Sequence, residues 1–214
     1  SFNDAVGPRT EERGFLEGSA IVGGLLLPSI GGGVCQVAST LFEAVYYAGL
    51  EVDERHNHDF YISHYPVGLD ATVAWPDLDF RFTNNTGHPV LIRATADAST
   101  MIVNLYSAPT NRTVETTTSD TYERKKAEKR FLIDKFAAPG SVKIYTDGQD
   151  GFAVDVQRVV KQDGDVIAED TFVSTYSTQP KTYIAAPDAI LPGDSDIQQP
   201  PWGWVSPNDP SETP

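Results

Sequence analysis

The chain has 214 residues, 40% of them hydrophobic, so it can bury one large core or two small ones and is not a disordered polymer. Lys and Arg total 16 against 30 Asp and Glu, a net charge of −14, and a surface that acidic repels nucleic-acid phosphate. A single cysteine excludes an internal disulfide and a four-cysteine zinc site, and no apolar run approaches the roughly 20 residues of a membrane-spanning helix.

Residues 1–33 are rich in glycine and turns, and 20–22 with 25–27 read as two short strands about a Gly23-Gly24 turn. The opening Ser1-Phe2-Asn3-Asp4 reads as the middle of a folded segment, so the chain is expected to begin inside a longer, N-terminally truncated precursor. Gly31-Gly32-Gly33 stops any regular element. Residues 34–48 carry the best helical pattern: Val34, Val37, Leu41, Ala44, Val45 and Ala48 recur at spacings of three and four, and Phe42 and Tyr46 thicken the stripe. Gly49 is a natural stop. The period then changes to two. Short strands are predicted over 51–55, 71–75, 78–82, 89–95 and 101–106, with Asn84-Asn85-Thr86-Gly87 as a turn. The simplest architecture for 1–110 is α+β, one central helix from the glycine-rich Cys35 loop packed on a mostly antiparallel sheet.

Residues 111–135 form a polar connector containing Arg124-Lys125-Lys126 and Lys129-Arg130, readable as a short helix or an edge strand. Strands over 141–145, 152–160 and 166–176, with the hairpin signal Asp163-Gly164, predict a small all-β C-terminal module. Residues 187–214 hold 7 of the 15 prolines, together with Trp202 and Trp204, and read as an extended tail without a core. Charge follows the same division: 5 basic and 13 acidic residues over 1–110, 11 and 12 over 111–186, none and 5 over 187–214. Three regions are therefore expected, with boundaries at 1–110, 111–186 and 187–214.

The chemistry centres on Cys35. A cysteine in the first turn of a helix faces unpaired N–H groups and the positive end of the helix dipole, which favour the thiolate. Gly32 and Gly33 leave the backbone bare for a substrate, and the same N–H groups suit an oxyanion. Read blandly, the residue is an inert buried cysteine on an apolar helix. A nucleophile needs a base, and Arg55-His56-Asn57-His58 supplies two: in an extended segment His56 and His58 share a face, and the other histidine or Asp70 would orient the one in use. A packed or surface role is the ordinary alternative for both. Zinc held by Cys35, His56 and His58 with Asp59 or Asp70 is a rival, but the spacing fits no standard ligand set. Gln36, Ser39 and Thr40 are placed to line a pocket or to bond the preceding helical turn. Arg9 and Arg55 suit a carboxylate clamp or ordinary salt bridges. His88, before Pro89, reads as structural. Trp202 and Trp204 suit sugar rings or docking on their own domain. Neither metal nor cofactor is needed for this chemistry.

The blocks Val6-Gly7-Pro8-Arg9-Thr10, Gly31-Gly32-Gly33-Val34-Cys35-Gln36-Val37-Ala38-Ser39-Thr40-Leu41, Glu54-Arg55-His56-Asn57-His58 and Gly68-Leu69-Asp70-Ala71-Thr72-Val73 resemble the VanW family over about the first 110 residues. Residues 148–183 more weakly resemble small glycine-marked β modules that follow such domains in cell-wall proteins. The family takes its name from glycopeptide-resistance gene clusters, an antibiotic-resistance setting, and some members are understood to be L,D-transpeptidases of peptidoglycan. The resemblance implies a thioester between Cys35 and a donor stem peptide, with His56 or His58 as base. It also implies peptidoglycan stem peptides as partners and an extracytoplasmic site in the bacterial envelope, held to a membrane only through segments outside this chain. Better-known L,D-transpeptidases place histidine before cysteine, so a different or permuted fold is expected. A non-catalytic peptidoglycan-binding module is the alternative, and a cell-surface spacer a third reading.

Overall fold

The computed structural model describes residues 1–22, 25–201 and 203–211. The Gly23-Gly24 turn and Trp202 lie outside the described residues. A five-residue helix, α1 (Phe2–Val6), is capped by the Ser1 hydroxyl, which accepts from the Asp4 N–H. A 3-10 turn at Glu11–Arg13 leads into the antiparallel hairpin of β1 (Glu17–Val22) and β2 (Leu25–Ile30), longer than the pattern predicts. α2 (Val34–Tyr47) follows directly after the triple glycine.

The buried face of α2 is Ala38, Phe42, Val45 and Tyr46, all fully enclosed. It is rotated from the expected stripe: Val37 is exposed, because the bulkiest side chains decide which face turns inward. Phe42 meets Phe80, Phe172 and Tyr46 edge-on at 5.6, 5.7 and 5.9 Å. These residues anchor the main core, with Phe2, Leu50, Leu69, Ala71 and Val73 around them. Val156, from the C-terminal part of the chain, belongs to the same core.

Residues 1–110 do not make one sheet. They make three antiparallel pairs: β1–β2, β3 (Glu51–Glu54) with β4 (Arg81–Thr83), and β5 (Leu91–Ala96) with β6 (Met101–Tyr106). The predicted strand over 71–75 is absent apart from a single bridge between Ala74 and Leu78. Its backbone groups are taken by α2 instead. The Ser39 hydroxyl bonds both the N–H and the C=O of Ala71, each at 2.9 Å, and the Val73 N–H points at Cys35 Sγ, 3.5 Å away. With those groups satisfied, the segment has no need of a ladder partner.

The polar stretch 111–135 contains three strands and no helix: β7 (Arg112–Thr118), β8 (Tyr122–Lys125) and β9 (Lys129–Ile133). β10 (Val142–Thr146) precedes the long hairpin of β11 (Gly151–Gln162) and β12 (Asp165–Tyr176), which turns at Asp163 and Gly164 with φ of 54° and 97°. Such a pair of positive φ values is why Asp-Gly serves there. β12, β11 and β7 form one sheet, with β8 also on β11. The other has the order β10-β13-β9-β14, where β13 is Lys181–Ala185 and β14 is Asp196–Gln198, and both pair parallel to β9. The fold as a whole is mostly antiparallel β with few helices.

The tail is not coreless. β14 adds a sheet strand, and Trp204 packs on Leu25, Leu27 and Leu132, 6.3 Å from the Tyr145 ring. The Ser206 hydroxyl donates to Asp134 at 2.7 Å. Docking is thus the observed role of Trp204. Among the described residues no helix is long and apolar enough to cross a membrane.

Candidate active site

Cys35 is the second residue of α2, after an N-cap at Gly33 with φ of 92°. Gly33 is exposed and open around its missing side chain; Gly32 is not, since a Cβ there would lie 2.2 Å from the Gly18 carbonyl carbon. Gly32 is therefore glycine for close approach to β1 rather than for substrate access. The Val34 and Gln36 N–H groups are bonded to the carbonyls of Gly31 and Gly33 at 3.2 and 3.0 Å. The supply of free donors in this turn is smaller than the sequence suggests.

The thiol is half-buried. It lies 3.3 Å from Thr72 Oγ1 and 3.5 Å from the Val73 carbonyl and N–H. Behind it stands His58, 4% exposed, close enough for the imidazole and the thiol to shift each other's titration, and stacked on Tyr65 with ring centroids 5.3 Å apart. His58 Nδ1 donates to Asp70 Oδ2 at 2.6 Å, which leaves Nε2 for the sulfur, and the His58 backbone N–H donates to the same oxygen at 2.7 Å. Asp70 is 2% exposed and takes Arg55 Nη2 on its other oxygen at 3.1 Å.

The electrostatics follow from this chain of contacts. Burial pushes the Cys35 thiol up, but hydrogen bonds from His58, Thr72 and the Val73 N–H, with the charge of His58, bring it below its ordinary value. Burial pushes His58 down, yet its bonds to Asp70 and Cys35 overcome that and raise it to about 9. Burial pushes Asp70 up, and His58 and Arg55 more than reverse it, so the carboxylate stays charged. Each shift favours a thiolate–imidazolium pair braced by a carboxylate.

The remaining candidates separate. His56 is not in the site: its Nε2 lies 3.0 Å from Glu54 and its side chain is 40% exposed. β3 ends at Glu54, so His56 and His58 do not share a strand face; the irregular backbone after it sends one outward and the other in. Arg55 is buried, with Nε on the Asp70 carbonyl at 2.6 Å and Nη2 on the Gly68 carbonyl at 3.0 Å, so it is an internal brace and not a clamp for a ligand. Ser39 is fully buried on Ala71 and lines no pocket. Thr40 bonds back to the Gln36 carbonyl at 2.7 Å. Gln36 is exposed near Cys35 and holds His64 Nε2 at 2.9 Å. Arg9 donates to Gly7 and Asn3, near enough to Cys35 for their charges to interact. His88 is an exposed turn residue. Among the described residues no group of three or more His, Cys, Asp and Glu is gathered so as to hold a metal ion.

Four residues escaped the sequence reading: Thr72 and Tyr65 beside the thiol and imidazole, His64 at the rim, and Tyr176, whose hydroxyl reaches Asp70. Thr72 stands within a block already singled out. Nothing local marks Tyr176. Two clefts lie away from Cys35: one of about 450 Å³ between β3 and β12, and one of about 600 Å³ beside β9 and β13.

A half-buried cysteine at a helix start, with a buried histidine that is hydrogen-bonded to a buried aspartate behind it, defines a Cys–His–Asp arrangement. In the comparisons with known proteins, residues 1–106, just under half of the chain, match the family model described as "VanW like protein", so the N-terminal part is a VanW-like domain. Over 108 residues it is 47% identical to "Uncharacterized protein YoaR" of Bacillus subtilis (strain 168), covering 50% of this chain and 36% of that protein. The chain thus spans about a third of that relative's length. Two solved structures align at low similarity. "Crystal structure of HP0197-G5" has 17% identity and a TM-score of 0.18, covering 35% of this chain and 96% of its own. "IgA1 Protease G5 domain structure" has 16% identity and a TM-score of 0.22, covering 35% and 86%.

Proposed function

We propose that this is a cell-wall-associated, extracytoplasmic protein whose VanW-like domain is a cysteine acyl transferase of peptidoglycan peptides, of the L,D-transpeptidase type. The observation that carries the reading is the series Cys35–His58–Asp70, in which buried Asp70 hydrogen-bonds His58 and the imidazole and thiol shift each other toward the ion pair. The match of residues 1–106 to the VanW family model supports the wall setting and the peptide substrate.

In this reading the Cys35 thiolate attacks the carbonyl carbon of a donor stem-peptide amide. The carbon–sulfur bond forms and the carbonyl electrons move onto oxygen, with the Cys35 N–H at the helix start as a main-chain donor for that oxyanion. The intermediate collapses, the carbon–nitrogen bond breaks, and His58 gives its Nε2 proton to the departing amine. Neutral His58 then takes a proton from the amine of a neighbouring stem as that amine attacks the thioester, and the thiolate leaves. Asp70 keeps Nδ1 protonated throughout, so Nε2 is the atom that gains and loses the proton. Gln36, which holds His64, follows Cys35 on α2, and Arg9 lies within reach of its charge; these three would contact the peptide. Water in place of the acceptor amine gives hydrolysis by the same steps.

Intact-mass spectrometry after incubation with a tetrapeptide-stem muropeptide tests this. An acyl adduct on the wild type, absent in Cys35→Ala, is expected. No adduct on a chain whose Cys35 also alkylates slowly at neutral pH overturns the reading in favour of a binding module with a structural cysteine.

A further inference from the structure

The VanW match ends at residue 106, yet the buried network behind Cys35 does not. The end of β12 is stitched to the stretch that carries His58 and Asp70. Arg55 Nη1 donates to Ser174 Oγ at 2.8 Å, Asn57 Nδ2 to the Thr175 carbonyl at 2.8 Å, and the Ser177 N–H to the Asp59 carbonyl at 2.6 Å. At the centre is Tyr176, 2% exposed. Its hydroxyl donates to Asp70 Oδ1 at 2.5 Å and accepts the Gly68 N–H at 3.2 Å. Its ring packs between Tyr61 and Phe152, at 5.5 and 5.1 Å.

A carboxylate turns about its last side-chain bond unless both oxygens are held. Four hydrogen bonds converge on Asp70: the two from His58 on Oδ2, and those of Arg55 and Tyr176 on Oδ1. Of the two on Oδ1, Tyr176 makes the shorter, and it comes from a different part of the chain, 106 positions away. We propose that Tyr176 is a positioning residue of the Cys35 site: the C-terminal module reaches into the VanW-like domain and fixes the carboxylate so that Oδ2 faces the His58 imidazole. This rests on the reading of Cys35 as the nucleophile. It makes the second module a working part of the site rather than an appendage, so the unit of activity is longer than the family domain.

The phenol is suited to the task. Burial and the adjacent Asp70 push its titration far above neutrality, so it remains a donor throughout the working range. The groups facing Asp70 are Arg55, His58, Tyr61 and Tyr65 from the 55–70 stretch and Tyr176 from β12, with Cys35 of α2 beyond His58. Arg55 is cationic and the tyrosines neutral near pH 7, so the pair left to titrate is Cys35 and His58.

The test is the pH dependence of Cys35 alkylation by iodoacetamide, measured on the full chain for wild type and Tyr176→Phe. The chain has one cysteine, so the signal has one source. Loss of the hydroxyl frees the carboxylate, weakens its hold on His58, and is expected to move the midpoint for thiolate formation upward by about one pH unit, a tenfold loss of thiolate below the midpoint. A midpoint that stays in place or falls, even with lower thermal stability, overturns the inference and assigns Tyr176 to packing alone. If Tyr176→Phe does not fold, Ser174→Ala, which removes one bond to Arg55, is expected to give a smaller shift of the same sign; no shift overturns the inference. A wild-type midpoint at the ordinary thiol value overturns instead the nucleophile reading on which the inference rests.

Discussion

Two buried cationic clusters join the first half of this chain to the second, one near each end of α2, and they are put to different use. Near the C-terminal end, Arg158 of β11 is 2% exposed. It donates Nε and Nη2 to Asp170 at 2.8 and 2.6 Å and Nη1 to the Tyr46 carbonyl at 3.1 Å, with its guanidinium over the Tyr46 and Phe172 rings. Near the N-terminal end, Arg55 and Tyr176 hold Asp70, and Asp70 holds His58. The first cluster is closed: its donors serve fixed acceptors, one of them a helix-terminal carbonyl where a cation is favoured. The second ends in an imidazole whose titration is raised to about 9 and which faces a thiol. The difference is one histidine interposed between a carboxylate and a sulfur. In the function proposed above, that histidine is what gives the braced carboxylate a part in proton transfer rather than in packing alone.

That contrast can be broken from the structural side first. Arg158→Met keeps an apolar stem and removes the bonds to Asp170 and Tyr46. Stripping one partner from a fully buried pair costs about 3–5 kcal/mol, but Asp170 is 38% exposed and stays solvated. The expected loss is therefore about 2–3 kcal/mol in urea unfolding, with the alkylation profile of Cys35 unchanged. A changed profile would show that the two clusters are not separable.

The smallest effect is expected at His56. His56→Ala breaks an exposed pairing with Glu54, worth at most about 1 kcal/mol. Cys35 reactivity and acyl-adduct formation should stay within about twofold of wild type. A loss of ten-fold or more at constant stability would return His56 to the site.

The contrast also explains what could be read in advance. The helix at 34–47 is legible because its apolar period runs from a glycine block to Gly49, and Cys35 because it is the only cysteine and stands at that helix's start. The choice between His56 and His58 was not legible. It depends on the chain leaving its strand at Glu54, which no side-chain pattern announces. Ala71 and Val73 do alternate inward as a strand would, but their backbone groups are satisfied by Ser39 and Cys35, a tertiary event invisible along the sequence. Over 111–135 the sequence stays open between a short helix and an edge strand because the threonine-rich β7 is mostly exposed and lacks an apolar alternation; the structure makes it a strand, paired with β11 through seven registered positions. Ser39 and Arg55 looked available to a ligand and proved to be internal fastenings, the bland alternatives already open for such residues. Tyr176 shows no local signal. Its role exists only once β12 is laid beside the His58 segment.

The account stands or falls on whether Cys35 and His58 form an ion pair at neutral pH. Cys35 is held below its ordinary value, so thiolate should appear, and alkylation should rise, at lower pH than for an ordinary thiol near about 8.5. His58 is raised to about 9, so its positive charge, and the stability that charge contributes, is fully present below its unfolded value of 6.5 and is lost as pH climbs through about 9. The most direct measurement is the full pH profile of iodoacetamide alkylation of the wild-type chain. The account predicts an alkylation rate that rises below the ordinary thiol range to a plateau, with a second change near pH 9 as the imidazolium deprotonates. A single rise centred near about 8.5, with no second change, would mean an ordinary thiol and would contradict it.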